Sequence, residues 1–188
     1  MNFYKSLFSK PDPNIDESKI LLSILKLTKN TNQQTQLKPG DSAALLLSPN
    51  DDTFFSKFNE STKSIIKNSQ TYAHVHYQTH SDPHGTMWII LRCGQFETLV
   101  STIDYVSSAI ASKGLGERMI AAIFKGSYDG HNSYWICNYR TSRFYPFIPK
   151  GDKIRSQDDE IKLGDIFRKK GLRVEPPENW FAIWEAPF

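Results

Sequence analysis

The histidines of this sequence are the residues whose types and spacing come closest to a chemical site. His74 and His76 lie two residues apart in a segment, 72–78, that has the composition of a strand. Alternate residues of a strand project from the same face, and two imidazoles on one face bind zinc when a third ligand arrives from elsewhere. His80 and His84 follow near a predicted turn. The pattern makes His74 and His76 metal candidates for a hydrolytic enzyme, with an exposed polar strand face as the other interpretation.

The remaining motifs do not complete an active site. The sequence has no Cys-x-x-Cys or His-Glu-x-x-His motif to finish a zinc site. A catalytic cysteine needs a neighbouring base, whereas Cys93 and Cys137 lie in apolar, strand-like stretches where buried thiols are expected. The Gly114-Leu115-Gly116 segment follows a predicted helix, the reverse of the order in a phosphate-binding loop. We therefore expect a non-enzymatic protein with no catalytic residue and no cofactor.

Basic residues accumulate towards the end of the chain. Ten lysines and arginines against five acidic residues lie between Arg140 and Arg173, a local excess of five positive charges. Such a segment can contact an acidic protein, anionic lipid or nucleic acid, although the whole-chain charge of only +3 gives no reason to expect a specific nucleic acid. The other interpretation is a solvated face whose charges complement the helix dipole. The partner-binding candidates in this region are Arg168, Lys169, Lys170 and Arg173.

Aromatic residues are concentrated in three short segments, which are 3–8, 144–147 and 180–184. Rings at this density form a large apolar patch unless they are buried, so we expect the last two segments to pack in the core, with a partner-binding surface as the alternative. The first segment carries Phe3, Leu7 and Phe8 beside lysines. These three residues are partner-binding candidates, because a short basic and apolar helix can dock in a partner groove or lie at a lipid interface.

The elements that would position these residues follow from hydrophobic spacing and turn signals. Helices are predicted near 14–25, 51–66, 96–113 and 158–170, and strands near 43–47, 72–78, 86–92, 118–125 and 133–140, with 144–148 extended. The hairpin through Asp129-Gly130 is the clearest turn. The order αβαββαββα, with hairpins instead of long crossovers, predicts an α+β fold with a mostly antiparallel sheet and helices packed on it. We expect an arm at 1–13 and one domain at 14–188.

No apolar run approaches the roughly 20 residues that a membrane-spanning helix needs, and lysines interrupt the first ten residues. These features predict a cytoplasmic protein. Contact with a membrane, if it occurs, would be peripheral and at the inner face.

Several segments resemble the PspAB family. The run 135–139 leading into Phe144-Tyr145-Pro146-Phe147-Ile148-Pro149 is similar to the central strand and Phe-Tyr-Pro-Phe-x-Pro signature of that family. The ending Trp180-Phe181-Ala182-Ile183-Trp184-Glu185-Ala186-Pro187 resembles its Trp-Phe-Pro-x-Trp-x-Ala-Pro terminus, with Ala182 where proline is usual. The start, 3–8, and the strand 86–90 also match. The histidine-rich strand is a departure from the family pattern.

The resemblance implies a cytoplasmic accessory protein linked to PspA, the coiled-coil membrane-remodelling protein of the phage-shock, or envelope-stress, response. It also implies a second partner class, the HtpX-type membrane proteases, whose genes often accompany this family. It carries over no catalytic residue. The leading hypothesis is an adaptor or regulatory protein that acts through protein–protein contacts. The alternatives are a metal-binding or hydrolytic enzyme using His74 and His76, and a binder of anionic lipid or nucleic acid through the basic C-terminal helix.

Overall fold

A computed structural model describes residues 17–29, 36–48, 64, 74–82, 85–184 and 186–188. The predicted arm, 1–13, lies outside the described residues, and so does the predicted helix 51–66 apart from Ser64. The described residues form one sheet, three helices and short connecting segments.

The sheet has six strands in the spatial order β2-β3-β1-β4-β5-β6, and every neighbouring pair is antiparallel. The strands are β1 (Leu37–Leu47), β2 (His76–Ser81), β3 (Met87–Arg92), β4 (Met119–Tyr128), β5 (His131–Asn138) and β6 (Arg143–Phe147). The α+β class and the antiparallel sheet predicted from the sequence are confirmed. The strand bounds differ in part: β1 begins at Leu37 and not near residue 43, β2 spans His76–Ser81 and not 72–78, and the extended segment near 144–148 is a sixth strand of the sheet.

The β4–β5 hairpin shows how local sequence sets strand pairing. Asp129 and Gly130 have φ values of 49° and 79°, the left-handed pair that a two-residue type I′ turn requires and that Asp-Gly supplies at low cost. The turn brings Tyr128 opposite His131 and continues to Ala121 opposite Asn138. The predicted hairpin is therefore confirmed.

Three helices cover one face of the sheet. They are α1 (Glu17–Leu22, continued as a 3₁₀ turn over Ser23–Leu27), α2 (Phe96–Ser112) and α3 (Gln157–Lys169). Their apolar residues, such as Ile24, Ile103 and Phe167, form one buried cluster with the alternate strand residues that include Phe124 and Trp135. The helices α2 and α3 stop just before Gly114 and Gly171, as the sequence predicts.

The opposite face of the sheet is covered by the end of the chain. We call residues 180–184 and 186–188 the C-terminal strap. Phe147 of β6 contacts Trp184, with ring centroids 5.0 Å apart, and Phe188 reaches Tyr134 of β5 at 6.0 Å and Trp88 of β3 at 6.5 Å. The strap therefore crosses the sheet from its β6 edge towards β3, and both faces of the central strands are buried.

The β6 edge of the sheet is closed before the strap begins. The Phe144 N–H donates to the Arg173 carbonyl at 2.7 Å, and the Glu175 N–H donates to the Phe144 carbonyl at 2.9 Å. Val174 consequently forms a parallel bridge with Phe144. An edge strand with unpaired backbone groups is open to pairing with other chains, and residues 173–175 block this edge.

In the part of the chain described here, none of the helices combines the length and the apolar character required to cross a membrane.

Candidate partner-binding surface

The structure places the two histidine candidates differently from the sequence expectation. His74 lies in a turn before β2, and only His76 belongs to the strand. Both side chains are exposed. His76 is paired across the strands with Arg92, whose positive charge disfavours a cation nearby. Among the described residues there is no group of three histidine, cysteine or acidic side chains that could hold a metal. Metal binding by His74 and His76 remains a prediction without geometric support.

The cysteines and a buried polar cluster around Glu175 also lack the arrangement of a catalytic site. Cys93 is half-buried, Cys137 is buried, and both are free thiols. The buried Glu175 carboxylate accepts hydrogen bonds from Thr141 Oγ1 and from Asn138 Nδ2. Burial, reinforced by the negative charge of Glu175, raises the pKa of Tyr145 far above its ordinary value, so this phenol stays protonated. The cluster joins β5, β6 and the strand-edge segment, which is a structural role.

The basic candidates at the end of α3 have different surroundings. Arg168 forms a salt bridge with Asp165 one turn earlier, with Nη1 to Oδ1 at 2.7 Å. Lys169 and Arg173 are exposed. Lys170 Nζ donates to the backbone carbonyl of Lys29 at 3.0 Å. The four candidates thus lie around one helix end, but the charge of Arg168 is already paired.

Two lysines from the other end of the chain join this helix end. Lys26 Nζ lies 3.3 Å from the Gly171 carbonyl oxygen, and Lys29 supplies the carbonyl that binds Lys170. The last turns of α1 and α3 therefore meet, although the residues involved are separated by more than 140 positions. We call Lys26, Lys29, Lys169 and Lys170 the basic corner.

The basic corner combines exposed charge with a supporting scaffold. Lys26, Lys29 and Lys169 are exposed, and no salt bridge between described residues involves any of the four lysines. Positive charge at helix C-termini is favourable because the free carbonyls there carry partial negative charge. This interaction holds Lys26 and Lys170 against neighbouring backbone while their charge remains available to solvent. An acidic partner would be attracted to this surface.

The other predicted contact residues, Phe3, Leu7 and Phe8, lie outside the described residues. The aromatic segments 144–147 and 180–184 are largely internal: Phe144, Tyr145, Phe147 and Trp180 are buried. The expectation that the rings pack in the core is confirmed for these four, whereas Phe181 is only partly buried and Trp184 is exposed at 36%.

The sequence analysis missed Lys26 and Lys29 because their neighbours in the corner come from the far end of the chain. The one available signal was their position just after the predicted helix 14–25, since basic residues commonly lie near helix C-termini. A small cavity of about 50 Å³ beside Asp104 and Tyr139 was also not foreseen. Burial raises the pKa of Asp104, but the volume is far below that of ligand sites, which are about 300 Å³ or more.

Comparison with known proteins places the chain in a family. No match was found among curated proteins or among solved structures. The model of the family described as PspAB, PspA associated protein B, matches residues 1–188, the whole chain. This match agrees with the resemblance that the aromatic segments show. The two segments in the C-terminal third, 144–149 and 180–187, contribute to β6 and to the C-terminal strap. The chain belongs to the PspAB family.

Proposed function

We propose that this protein is a non-enzymatic accessory protein of a PspA-type membrane-stress response, acting as an adaptor or regulator through protein–protein contacts. The observation that carries the proposal is the whole-chain match to a family described as associated with PspA. The partner is a PspA-like coiled-coil protein, with an HtpX-type membrane protease as a second partner, and the location is the cytoplasm.

The basic corner is the contact surface that fits this proposal best. A coiled-coil protein presents charged residues along its outer positions, and an acidic stretch of such a helix is complementary to four clustered lysines. Electrostatic complementarity of this kind increases the association rate and sets the orientation of the partners. Arg173 and the paired Arg168 extend the same surface. Phe3, Leu7 and Phe8, which lie outside the described residues, are proposed as further, apolar contact residues.

The double variant Lys169→Glu/Lys170→Glu tests the corner. We expect capture of a purified PspA-like protein to fall about tenfold at low salt, because two attractive charges become repulsive. Affinity would be measured by biolayer interferometry with the full chain. The stability of the variant should change by less than about 1 kcal/mol, since both side chains lie at the surface.

The matched control is Lys113→Glu/Lys153→Glu, which makes the same charge change at two exposed lysines outside the corner. Its affinity for the PspA-like protein should equal that of the parent chain. Equal loss in both double variants would mean that only net charge matters and would remove the corner from the proposal. Failure of the parent chain to bind a PspA-like or HtpX-type protein would contradict the proposed function itself.

A second candidate function is peripheral binding to anionic lipid through the same corner. The observation that favours it is that Lys26 and Lys29 enlarge the basic end of α3. Each lysine near an anionic surface contributes about 1 kcal/mol. We expect the chain to co-sediment with vesicles of phosphatidylglycerol and to be released as salt is raised to about 0.5 M, where the screening length falls well below 10 Å. Equal binding to phosphatidylcholine vesicles, or binding that salt does not change, would exclude this function.

A further inference from the structure

A groove lies at the opposite end of α3 from the basic corner. Its volume is about 420 Å³, within the range of small binding sites. It is formed by the segment that enters α3, the first turns of that helix, and the 3₁₀ turn Pro177–Asn179 that precedes the strap. Its apolar lining consists of Ile161, Pro177 and Trp180.

The charged residues of the groove lining leave it negative. Arg155 and Glu160 neutralise each other, since Arg155 Nη2 is 2.7 Å from Glu160 Oε2. Asp158 and Glu178 also line the groove, are exposed, and take part in no salt bridge between described residues. The lining therefore has an excess of two negative charges.

The neighbouring acid Asp159 does not add to this charge. Hydrogen bonds from Ser156 Oγ and Lys162 Nζ lower its pKa and occupy its carboxylate. The free acidic groups of the groove are consequently Asp158 and Glu178, on two different chain segments that face the same space.

Exposed apolar side chains are concentrated around this groove. Only five large hydrophobic residues are exposed in the part of the chain that the structure describes. Ile161, at 42%, lines the groove, and Ile154, at 59%, directly precedes the lining residue Arg155. Trp184, the third, packs on the ring of Phe147, which Arg155 also covers at 5.5 Å. Exposed apolar groups gathered beside a cleft mark interaction sites more often than scattered ones do.

The loop that presents Ile154 has an unusual and well-supported backbone. Gly151, Asp152 and Lys153 all have positive φ, at 86°, 42° and 58°, a conformation that costs free energy for the last two residues. Two hydrogen bonds fix it, Lys150 N–H to the Ile154 carbonyl at 2.8 Å and Ile154 N–H to the Gly151 carbonyl at 2.7 Å. A turn with this backbone holds the exposed isoleucine in a defined place next to the groove.

We propose that this groove binds a peptide segment of a partner protein in which a bulky apolar side chain lies beside lysine or arginine. The apolar side chain would pack against Ile161, Pro177 and Trp180, and the basic side chain would pair with Asp158 or Glu178. Charge complementarity selects this occupant, because an acidic segment would meet two carboxylates of like charge. The site is of opposite charge to the basic corner and lies about 20 Å from it along α3. Peptide binding in this groove is an activity additional to the proposed function.

The test is a titration of full-length protein into fluorescein-labelled Gly-Lys-Leu-Phe-Lys-Leu-Phe-Lys-Gly, followed by anisotropy at low salt. We expect saturable binding with a Kd below about 1 mM, a value that requires more than 4 kcal/mol of binding free energy. The same peptide with glutamate in place of each lysine should not bind. The double variant Asp158→Lys/Glu178→Lys should bind the basic peptide about tenfold more weakly, and Ile161→Ser should also weaken it.

The control variant is Glu97→Lys/Glu117→Lys, which changes charge by the same amount at two exposed acids outside the groove. It should bind the basic peptide as the parent chain does. Equal weakening in both double variants, binding of the acidic peptide, or absence of saturable binding would overturn the proposal. Lys169→Glu/Lys170→Glu should leave peptide binding intact. The peptide measurement therefore tests the groove proposal separately from the proposed role of the basic corner.

Discussion

The substitution Trp180→Ala is expected to lower the free energy of unfolding by about 3–5 kcal/mol, the range for removing a large buried aromatic side chain. Trp180 is 6% exposed and belongs to the apolar cluster beneath the C-terminal strap. Its Nε1 donates to the Glu175 carbonyl at 2.9 Å, and its own carbonyl accepts from Arg155 Nη1 at 2.9 Å. The ring is the first anchor of the strap, so we expect its loss to loosen the whole segment. Urea unfolding followed by circular dichroism measures the change.

The ring of Trp180 lies over Gly164, so a substitution at Gly164 tests the same packing more specifically. A Cβ at position 164 would lie 2.6 Å from Cη2 of Trp180, so Gly164→Ala should destabilise the parent chain by about 1–3 kcal/mol. In the Trp180→Ala variant the ring no longer occupies the space needed by a Cβ at position 164. Alanine is also about 1 kcal/mol more favourable than glycine inside a helix. The same substitution should then stabilise the protein.

Four proteins measured together provide the check: the parent chain, each single variant and the double variant. Gly94→Ala is the control for glycine replacement, because beyond the adjoining residues no atom lies within 4 Å of the added Cβ at that position. A Gly164→Ala effect of the same sign and size in both backgrounds would show that the ring of Trp180 does not rest on α3. A change of sign would support the packing that joins helix, sheet edge and strap.

Local signals in the sequence predict much of this fold. The β4–β5 hairpin depends on two turn residues, Asp129 and Gly130, whose backbone preference acts without help from the rest of the chain. The ends of α2 and α3 depend in the same way on the glycines that follow them. Burial of the rings of Phe144, Tyr145 and Phe147 is confirmed, and the sequence predicts it because rings at this density form a large apolar patch unless they are buried.

Non-local contacts account for what the sequence analysis did not predict. The strand β1 pairs with β3 on one side and β4 on the other. Several other antiparallel strand orders are compatible with the same sequence pattern, and packing of the core determines which one forms. The basic corner requires Lys26 and Gly171, 145 residues apart, to meet. Glu160 illustrates the same limit: the predicted helix 158–170 does not indicate that this side chain is buried, paired with Arg155 and hydrogen-bonded by the Ile148 N–H. Such a role depends on neighbours that spacing alone does not specify.

The second large effect is expected at this buried acid. Glu160 Oε2 accepts from Arg155 Nε at 2.8 Å and lies 2.7 Å from Nη2, while Oε1 accepts from the Ile148 N–H at 2.8 Å. Its side chain is only 1% exposed. Glu160→Ala should cost about 3–5 kcal/mol, because removing one partner leaves a largely buried charge uncompensated and a buried N–H without an acceptor. Thermal and urea unfolding measure this cost.

The same helix contains a matched control. Asp165 and Arg168 form a salt bridge of equal length, 2.7 Å, but their side chains are 54% and 43% exposed. Asp165→Ala should therefore cost no more than about 1 kcal/mol, because water screens this pair and solvates the arginine that remains. The double variant Arg155→Ala/Glu160→Ala should be less destabilised than the sum of its single variants by about 1–3 kcal/mol, since neither charge is then left alone. If Glu160→Ala costs no more than Asp165→Ala, burial does not strengthen the Arg155–Glu160 pair. The beginning of α3, and with it the wall of the groove, would then be held by its other contacts, among them the hydrogen bond from the Ser156 N–H to the Ile148 carbonyl.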